Sequence, residues 1–539
     1  MLGKGFYNTQ GDRRIHGVRS KGELMTILQA SLEYADGKRD VIVTDDSWNV
    51  GAGPINHCAI LAGSDFDSRL TEPAHWSKAI VTNYAGTLRG AESPPMAMFE
   101  RLSPIKTADE PEPGVFVYDF GQNLSAIPFI KVRGEKGKLV RITPAEQRHQ
   151  QTDRHNNGTG RVNQAGVGKP NYYEYTLNGA GLESWQPQFT YGGFQYLEIT
   201  GAVPKGCPNP KNLPVVEALQ SIHVRSSATK VGSFSCSNPM FNQIDKSIDR
   251  AVRSNLAHVL TDCPTREKLG WLEVSYLMGP SISRRYDLSR LYAKITRDIR
   301  ESQGADGVMY TVAPNYPKFR NGFRYTPEWG AAGIVIPWQL YRWYGDKRIL
   351  RENFQAMKAF VDYMKNTGKD LIPKAGLGDW YDYGHGKRSG RAKFTPPELT
   401  AMATFYRCTR IVSKTAKVLG EKDDAQNYQA LADDSVAFRK IIIKPAFETD
   451  VKWAKGHYDA IAGRISVDWN KKNGQCSLNV SIPANTTATV YLPAKNGTSV
   501  SESGKPVKQA AGVTSLRMLN GSAVIQIESG QYSFVFQYN

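Results

Sequence analysis

The stretch Asp262-Cys-Pro-Thr-Arg-Glu-Lys-Leu-Gly-Trp-Leu-Glu273 places three carboxylates, two cations and a tryptophan in twelve residues, at a loop that opens onto a helical pattern. Cleaving a glycosidic bond calls for such a set. A protonated carboxyl assists the leaving oxygen, further carboxylate charge stabilises an oxocarbenium-like centre or activates water, and an aromatic wall holds the sugar. Every part but the second catalytic partner has a candidate here. Glu267 can equally be a surface carboxylate balanced by Arg266 and Lys268. To keep a proton at neutral pH it needs desolvation against Trp271 and repulsion from neighbouring carboxylates, because adjacent cations act in the opposite sense. Arg266 is therefore expected to turn toward Asp262.

Two further segments, Pro327-Glu-Trp-Gly330 and Leu377-Gly-Asp-Trp-Tyr-Asp-Tyr383, each put a carboxylate beside tryptophan in a glycine-flanked loop. Glu328 with Trp329 and Asp379 with Trp380 are candidate sugar contacts, Asp382 a weaker one. The alternative is tryptophans that fill a core while their acids cap helices. His57, His149, His155 and His385 have no second ligand at metal spacing, so no metal is expected. Nucleotide-binding glycine motifs are absent, and no cofactor is indicated.

The elements that must position these residues fall into blocks. A chain of 539 residues exceeds one core and suggests three or four domains. The first hundred residues read as mostly β, with Asp40–Thr44 a strand, turns at Asp36-Gly37 and Gly51–Pro54, and one helix over Glu23–Tyr34. Ala108–Pro113, rich in proline and acid, reads as a linker. Beyond it Val115–Asn123 and Phe129–Gly134 read as strands split by glycine turns, and Gln147–Lys169 as a long polar loop. At Asn238 the period changes. Asn238 caps, Pro239 suits a first turn, and Phe241, Ile244, Ile248, Val252 and Leu256 share a helix face. Helical pattern recurs at Glu273–Arg285, Ser289–Ser302, Glu328–Tyr344, Lys347–Asn366, Pro397–Leu419 and Lys422–Ile441. From Ile442 alternation returns in Leu478–Ile482, Val490–Leu492, Ala523–Ile527 and Tyr532–Phe536, as in an antiparallel sandwich.

The loop Asp262-Cys-Pro followed by Arg266, Glu267 and Leu269-Gly-Trp271 resembles that of the bacterial α-L-rhamnosidases. So do Thr44–Trp48, Asp65–Arg69, Tyr118–Asn123, Phe189–Tyr196 and Ile482–Val490. The resemblance implies Glu267 as general acid, with Asp262, Arg266 and Trp271 shaping the sugar subsite and Glu328, Trp329, Asp379 and Trp380 on loops facing it. The family's acidic residue three places after the tryptophan falls on Val274, and Glu273 sits one place earlier. It also implies a multidomain α and β fold, antiparallel β-sandwich domains flanking an α/α toroid. The expected division is 1–107 for an N-terminal β-sandwich-like domain, 108–232 for a second β-sandwich, 233–441 for the helical catalytic domain and 442–539 for a C-terminal β-sandwich. The toroid is incomplete, about seven helices against the family's twelve. Ala437-Phe-Arg-Lys440 passes directly into Ile441, and the family's Gly-Ala-Thr-Thr-x-Trp-Glu segment, whose glutamate is the general base, is absent. In the family more chain precedes the sandwich that begins here.

The implied activity is an inverting hydrolase releasing terminal α-L-rhamnose, impaired by loss of its base. The alternatives are a rhamnose-glucuronate lyase, for which Tyr316, Lys318, Arg320 and Arg324 supply a base and cations, and a non-catalytic glycan-binding remnant. The expected partner is a rhamnose-containing oligo- or polysaccharide, and a homo-oligomer could complete the ring. The formal charge of +17 is spread, with only short runs such as Gly386–Arg391, and no nucleic-acid motif accompanies it. No apolar segment marks a membrane span or a signal peptide, although a secreted or periplasmic full-length protein fits the substrate. Six scattered cysteines read mostly as buried thiols.

Overall fold

The computed structural model describes every residue except 15–17, 19, 85, 150–157, 167–169, 370, 383–389, 391, 437–439, 448, 449, 461, 462, 485, 495, 496, 538 and 539. Most of the Gly386–Arg391 run, His155, His385, part of the Gln147–Lys169 loop and the junction before Lys440 therefore lie outside the described residues. The chain forms two compact units, Met1–Phe360 and Val361–Asn539.

The first unit is built on an eleven-stranded sheet. Its main path runs Val203–Pro204, Val215–Ser226, Val115–Arg133, Gly192–Thr200, Leu139–Ala145, Tyr172–Thr176, Gly63–Asp67 and Ile55–Ala59. The pairing of Tyr172–Thr176 with Gly63–Asp67 is parallel and brings strands from either side of residue 107 into one sheet. Alternation drives one face inward. Phe116, Tyr118, Ile130, Val140, Ile142, Tyr173, Leu197 and Ile199 are buried together.

Three expectations fail here. Glu23–Tyr34 is no helix: Gln29–Glu33 is a strand paired with Arg39–Val43, because the turn closed by Gly37 at φ +85° brings the two segments into register. Asp109–Glu112 is a strand rather than a linker, pairing with Val115–Arg133. That long strand is continuous where two were expected; Gly121, at φ +70°, sits opposite a register shift between Phe194 and Tyr196.

Helices follow the sheet. α1 is Pro239–Asn255, and Asn238 caps it by accepting from Met240 N at 2.9 Å. α2 is Leu272–Ile282, α3 Ser289–Ser302, α4 Asn321–Arg324, α5 Pro327–Gly330, α6 Ala332–Tyr344 and α7 Lys347–Thr367, the last crossing into the second unit. The single helix expected from Glu328 is thus two, with Ala331 between them. α6 is buried nearly all round its first two turns, and a Cβ on Gly333 would stand 2.2 Å from the Met309 sulfur.

In the second unit α8, Pro397–Leu419, ends at Gly420 in the left-handed region, and α9 is Lys422–Val436. The expected continuation to Ile441 is instead a strand, Lys440–Ile443, parallel to Thr487–Leu492. The isoleucine run has strand propensity and buries Ile441 and Ile443 in a sandwich core with Val490, Ile525 and Phe534. Its sheets are four-stranded and six-stranded. Seven of the nine described helices exceed one turn, as the pattern predicts. All six cysteines are free; Cys58, Cys408 and Cys476 are buried, while Cys207, Cys236 and Cys263 are only half-buried. No described helix is long and apolar enough to cross a membrane.

α1 departs from the rule that an amphipathic helix covers its apolar stripe. Met240, Phe241, Ile244 and Ile248 are 61%, 51%, 47% and 44% exposed, and only Val252 is buried. Replacing Ile244 by serine should therefore shift unfolding free energy by less than about 0.5 kcal/mol, whereas Ile295→Ala in α3 should cost about 2–5 kcal/mol. Urea denaturation of the two variants checks the contrast.

Candidate active site

The acid-bearing loop is held by groups distant in sequence. Lys268, 4% exposed and at φ +53°, sends its ammonium to the carbonyls of Ile60 and Tyr191 and stands 4.6 Å from the Tyr191 ring centre. Burial pushes its pKa down to about 7, with the charge of Arg14 adding to the effect. Arg14, also buried, donates to Leu61 O at 2.9 Å and Thr265 O at 3.3 Å through Nη1, and to Arg266 O at 2.7 Å through Nη2. The Thr265 hydroxyl accepts from Gly193 N at 2.9 Å and lies 3.1 Å from Glu146 Oε1. Gly193 has no substitute at this contact, since a Cβ there would be 2.5 Å from Thr265 Oγ1.

So anchored, the loop closes on itself and delivers its carboxylates to the start of α2. Asp262 N donates to Leu269 O at 3.3 Å, and Glu267 N to Cys263 Sγ at 3.2 Å. Trp271, the N-terminal flanking residue of α2, bridges to Val312, while Leu272 N donates to Thr311 O at 3.0 Å. The Trp271 ring stacks on Phe319 at 5.3 Å and 19°, with Phe323 edge-on at 6.4 Å. Its Nε1–H donates to Glu267 Oε2 at 2.8 Å. Arg266 Nη2 lies 3.1 Å from Glu267 Oε1. The guanidinium thus turns to Glu267, not to Asp262 as expected, because the Arg266 backbone is fixed by Arg14 and its side chain reaches outward.

Asp262 takes the opposite character. Its Oδ1 is buried without a hydrogen-bond partner among the described residues. Burial pushes its pKa up to about 6, with the charge of Glu267 adding to the rise. The Cys263 thiol is raised to about 11, again by burial. Glu273, in the first turn of α2, is half-buried and shifted upward by burial.

Asp262, Arg266, Glu267, Trp271 and Glu273 are therefore gathered at one loop–helix junction. Glu328 opens α5 and is half-buried, while Trp329 beside it is only 4% exposed. In the second unit Asp379 is exposed, and Trp380 packs edge-on against Tyr381 at 5.3 Å. Asp382 Oδ2 accepts from the backbone of Lys393 and Phe394, each at 2.7 Å, which shapes that loop. The residues that sequence reasoning missed are Arg14, Gly193 and Lys268. Lys268 was read as a charge balancing Glu267, and nothing local reveals that it is buried.

Models of four family domains match successive parts of the chain. They are the α-L-rhamnosidase N-terminal domain at 1–99, and the bacterial α-L-rhamnosidase concanavalin-like domain at 109–223, 6 hairpin glycosidase domain at 229–450 and C-terminal domain at 431–506. The chain belongs to the bacterial α-L-rhamnosidase family. An α-L-rhamnosidase of Streptomyces avermitilis is 30% identical over 437 residues, 78% of this chain and 39% of that protein. One from Formosa agariphila is 27% identical over 487 residues, 84% of this chain and 49% of that protein. The chain thus spans less than half the length of these relatives. Among solved structures, the α-L-rhamnosidase from Dictyoglumus thermophilum superposes with a TM-score of 0.68 at 25% identity, over 95% of this chain and 73% of that one. The Aspergillus terreus enzyme gives 0.67 at 20% identity, over 95% and 73%. The fold class is accordingly that of the family, β-domains together with an α/α toroid.

Two outcomes follow from the electrostatics. Asp262 has its folded-state pKa above the unfolded value, so its contribution to stability is full below about pH 4 and is lost as pH rises through about 6. Asp262→Asn should therefore stabilise the protein by about 2 kcal/mol at pH 7, the gain vanishing toward pH 4 in melts across that range. Lys268→Met leaves two buried carbonyls unsatisfied and should cost at least about 2 kcal/mol in urea denaturation.

Proposed function

We propose that this chain binds terminal α-L-rhamnose and cleaves its glycosidic bond with inversion, Glu267 giving its proton to the leaving oxygen. One observation carries the reading. The Glu267 carboxyl is fixed at the edge of an aromatic wall by the Trp271 indole N–H, with Asp262 buried close enough for their charges to interact. The support is positional: the indole N–H and the Arg266 guanidinium hold the two Glu267 oxygens, and the Asp262 carboxyl, raised by burial, stands in the same loop. The half-buried indole also suits a deoxysugar, whose methyl group takes an aromatic face while vicinal hydroxyls take carboxylates. Curated relatives named α-L-rhamnosidase support the substrate class.

An inverting reaction also needs a base about 6.5–9.5 Å from the acid, on the other face of the sugar. The sequence lacks the family segment that supplies it, so turnover is impaired while the leaving-group side is intact. The lyase reading has less support. Its candidate base, Tyr316, is stacked on Phe6 at 5.0 Å, and burial pushes its phenol up to about 12, far from a group poised to accept a proton near pH 7.

Azide, which needs no deprotonation, tests the proposal. With an aryl α-L-rhamnoside it should speed release at least about tenfold and yield the β-rhamnosyl azide: azide bonds to C1, the C1–oxygen bond breaks, and the leaving oxygen takes the acid's proton. Glu267→Gln should slow release from poorly activated rhamnosides by about 10²–10⁴-fold. Rhamnose binding measured by calorimetry with no turnover, azide included, would leave the chain a glycan-binding protein; an α-configured azide adduct would refute inversion.

A further inference from the structure

A cavity of about 250 Å³ lies next to the acid loop, lined by Tyr310, Thr311, Asn315, Phe319, Phe323 and Arg324 among others. Drug-sized ligands take about 300–1,000 Å³, so the occupant is about one sugar ring. Phe319 is the ring stacked on Trp271, and Trp271 holds Glu267 through its indole N–H. The cavity and the acid are thus joined through one aromatic stack.

The charge of the cavity separates it from a subsite for rhamnose, which is neutral. None of its lining residues is acidic. Arg324, exposed at the end of α4, rests over the Tyr310 ring at 5.1 Å and makes no ion pair among the described residues. Lys318 and Arg320 are exposed on the same connection. The Thr311 hydroxyl donates to Phe323 O at 2.5 Å, which ties the Phe323 backbone to the cavity wall. A planar guanidinium backed by an aromatic ring is matched by a planar carboxylate that it can bind bidentately, and aromatic faces suit the C–H face of a pyranose. A net charge of +17 draws polyanionic glycans toward such a site.

We infer that this cavity is a leaving-group subsite for a uronic acid, with Arg324 as the receptor for its carboxylate. The assignment rests on the glycosidase reading for its place in a reaction, since a general acid must stand between the sugar it releases and the next one.

Calorimetric titration of the full chain with methyl glucuronoside, methyl glucoside and methyl glucoside 6-sulfate tests it, with L-rhamnose titrated separately. The glucuronoside should bind at least about tenfold more tightly than the glucoside, the size of one charge-assisted contact. That preference should fall below about twofold in Arg324→Met and shrink as salt is raised. Equal affinity for glucuronoside and glucoside, preference for the sulfate, or an unchanged preference in Arg324→Met would overturn the inference. Because Arg324 is exposed, its replacement leaves the fold intact, and an unaltered melting curve verifies this. Failure of L-rhamnose to bind while the uronate preference persists would count against the rhamnosidase reading alone; rhamnose binding without that preference would count against the subsite alone.

Discussion

Two buried cations satisfying backbone carbonyls set the geometry of this protein's chemistry. Lys268 and Arg14 together reach carbonyls of Ile60, Leu61, Tyr191, Thr265 and Arg266, so the loop carrying Glu267 is tied to the sheet at several points instead of being tethered at its ends. Burying two like charges near each other is costly, and the downward shift of Lys268 expresses that cost. It is offset only while every carbonyl stays in place, which makes the arrangement intolerant of displacement and rigid for that reason. A catalytic carboxyl gains from such rigidity, because small misplacement of a proton donor costs orders of magnitude in rate.

That fixed backbone divides the two carboxyls. Glu267 reaches outward, where the Trp271 indole and the Arg266 guanidinium meet its oxygens, while Asp262 stays inward with one oxygen unpartnered. The sequence offers two carboxyls five residues apart, and burial and partners separate them. The charge of Glu267 adds to the upward shift that burial gives Asp262.

Much of this was legible in the residue pattern. The spacing from Asp262 to Trp271 marked the loop, and the Asn238-Pro239 start with its apolar period marked α1 almost to the residue. C-terminal strands were legible from alternation because one face is buried, as at Leu478, Val480 and Ile482. What escaped depends on partners far along the chain. Gln29–Glu33 looks helical until Arg39–Val43 pairs with it, and Asp109–Glu112 looks like a linker until the long neighbouring strand accepts it. Arg14 and Thr265 are separated by 251 residues, and no local period encodes their bond. Phe189–Tyr196 stood out only as a family resemblance; that Gly193 clears the approach for Thr265 appears only in the fold.

The clamp also stands apart from the apolar face of α1. The anchors made through Lys268, Arg14 and Thr265 come from the sheet and the N-terminal segment; α1 adds the bond of its last residue, Asn255, to Thr261, while its apolar stripe lies open. Among the described residues, that open stripe contributes no hydrogen bond to Lys268, Arg14 or Thr265. Positioning of the Glu267 loop and covering of the α1 stripe are thus separate problems in this fold, and docking to the sheet solves the first.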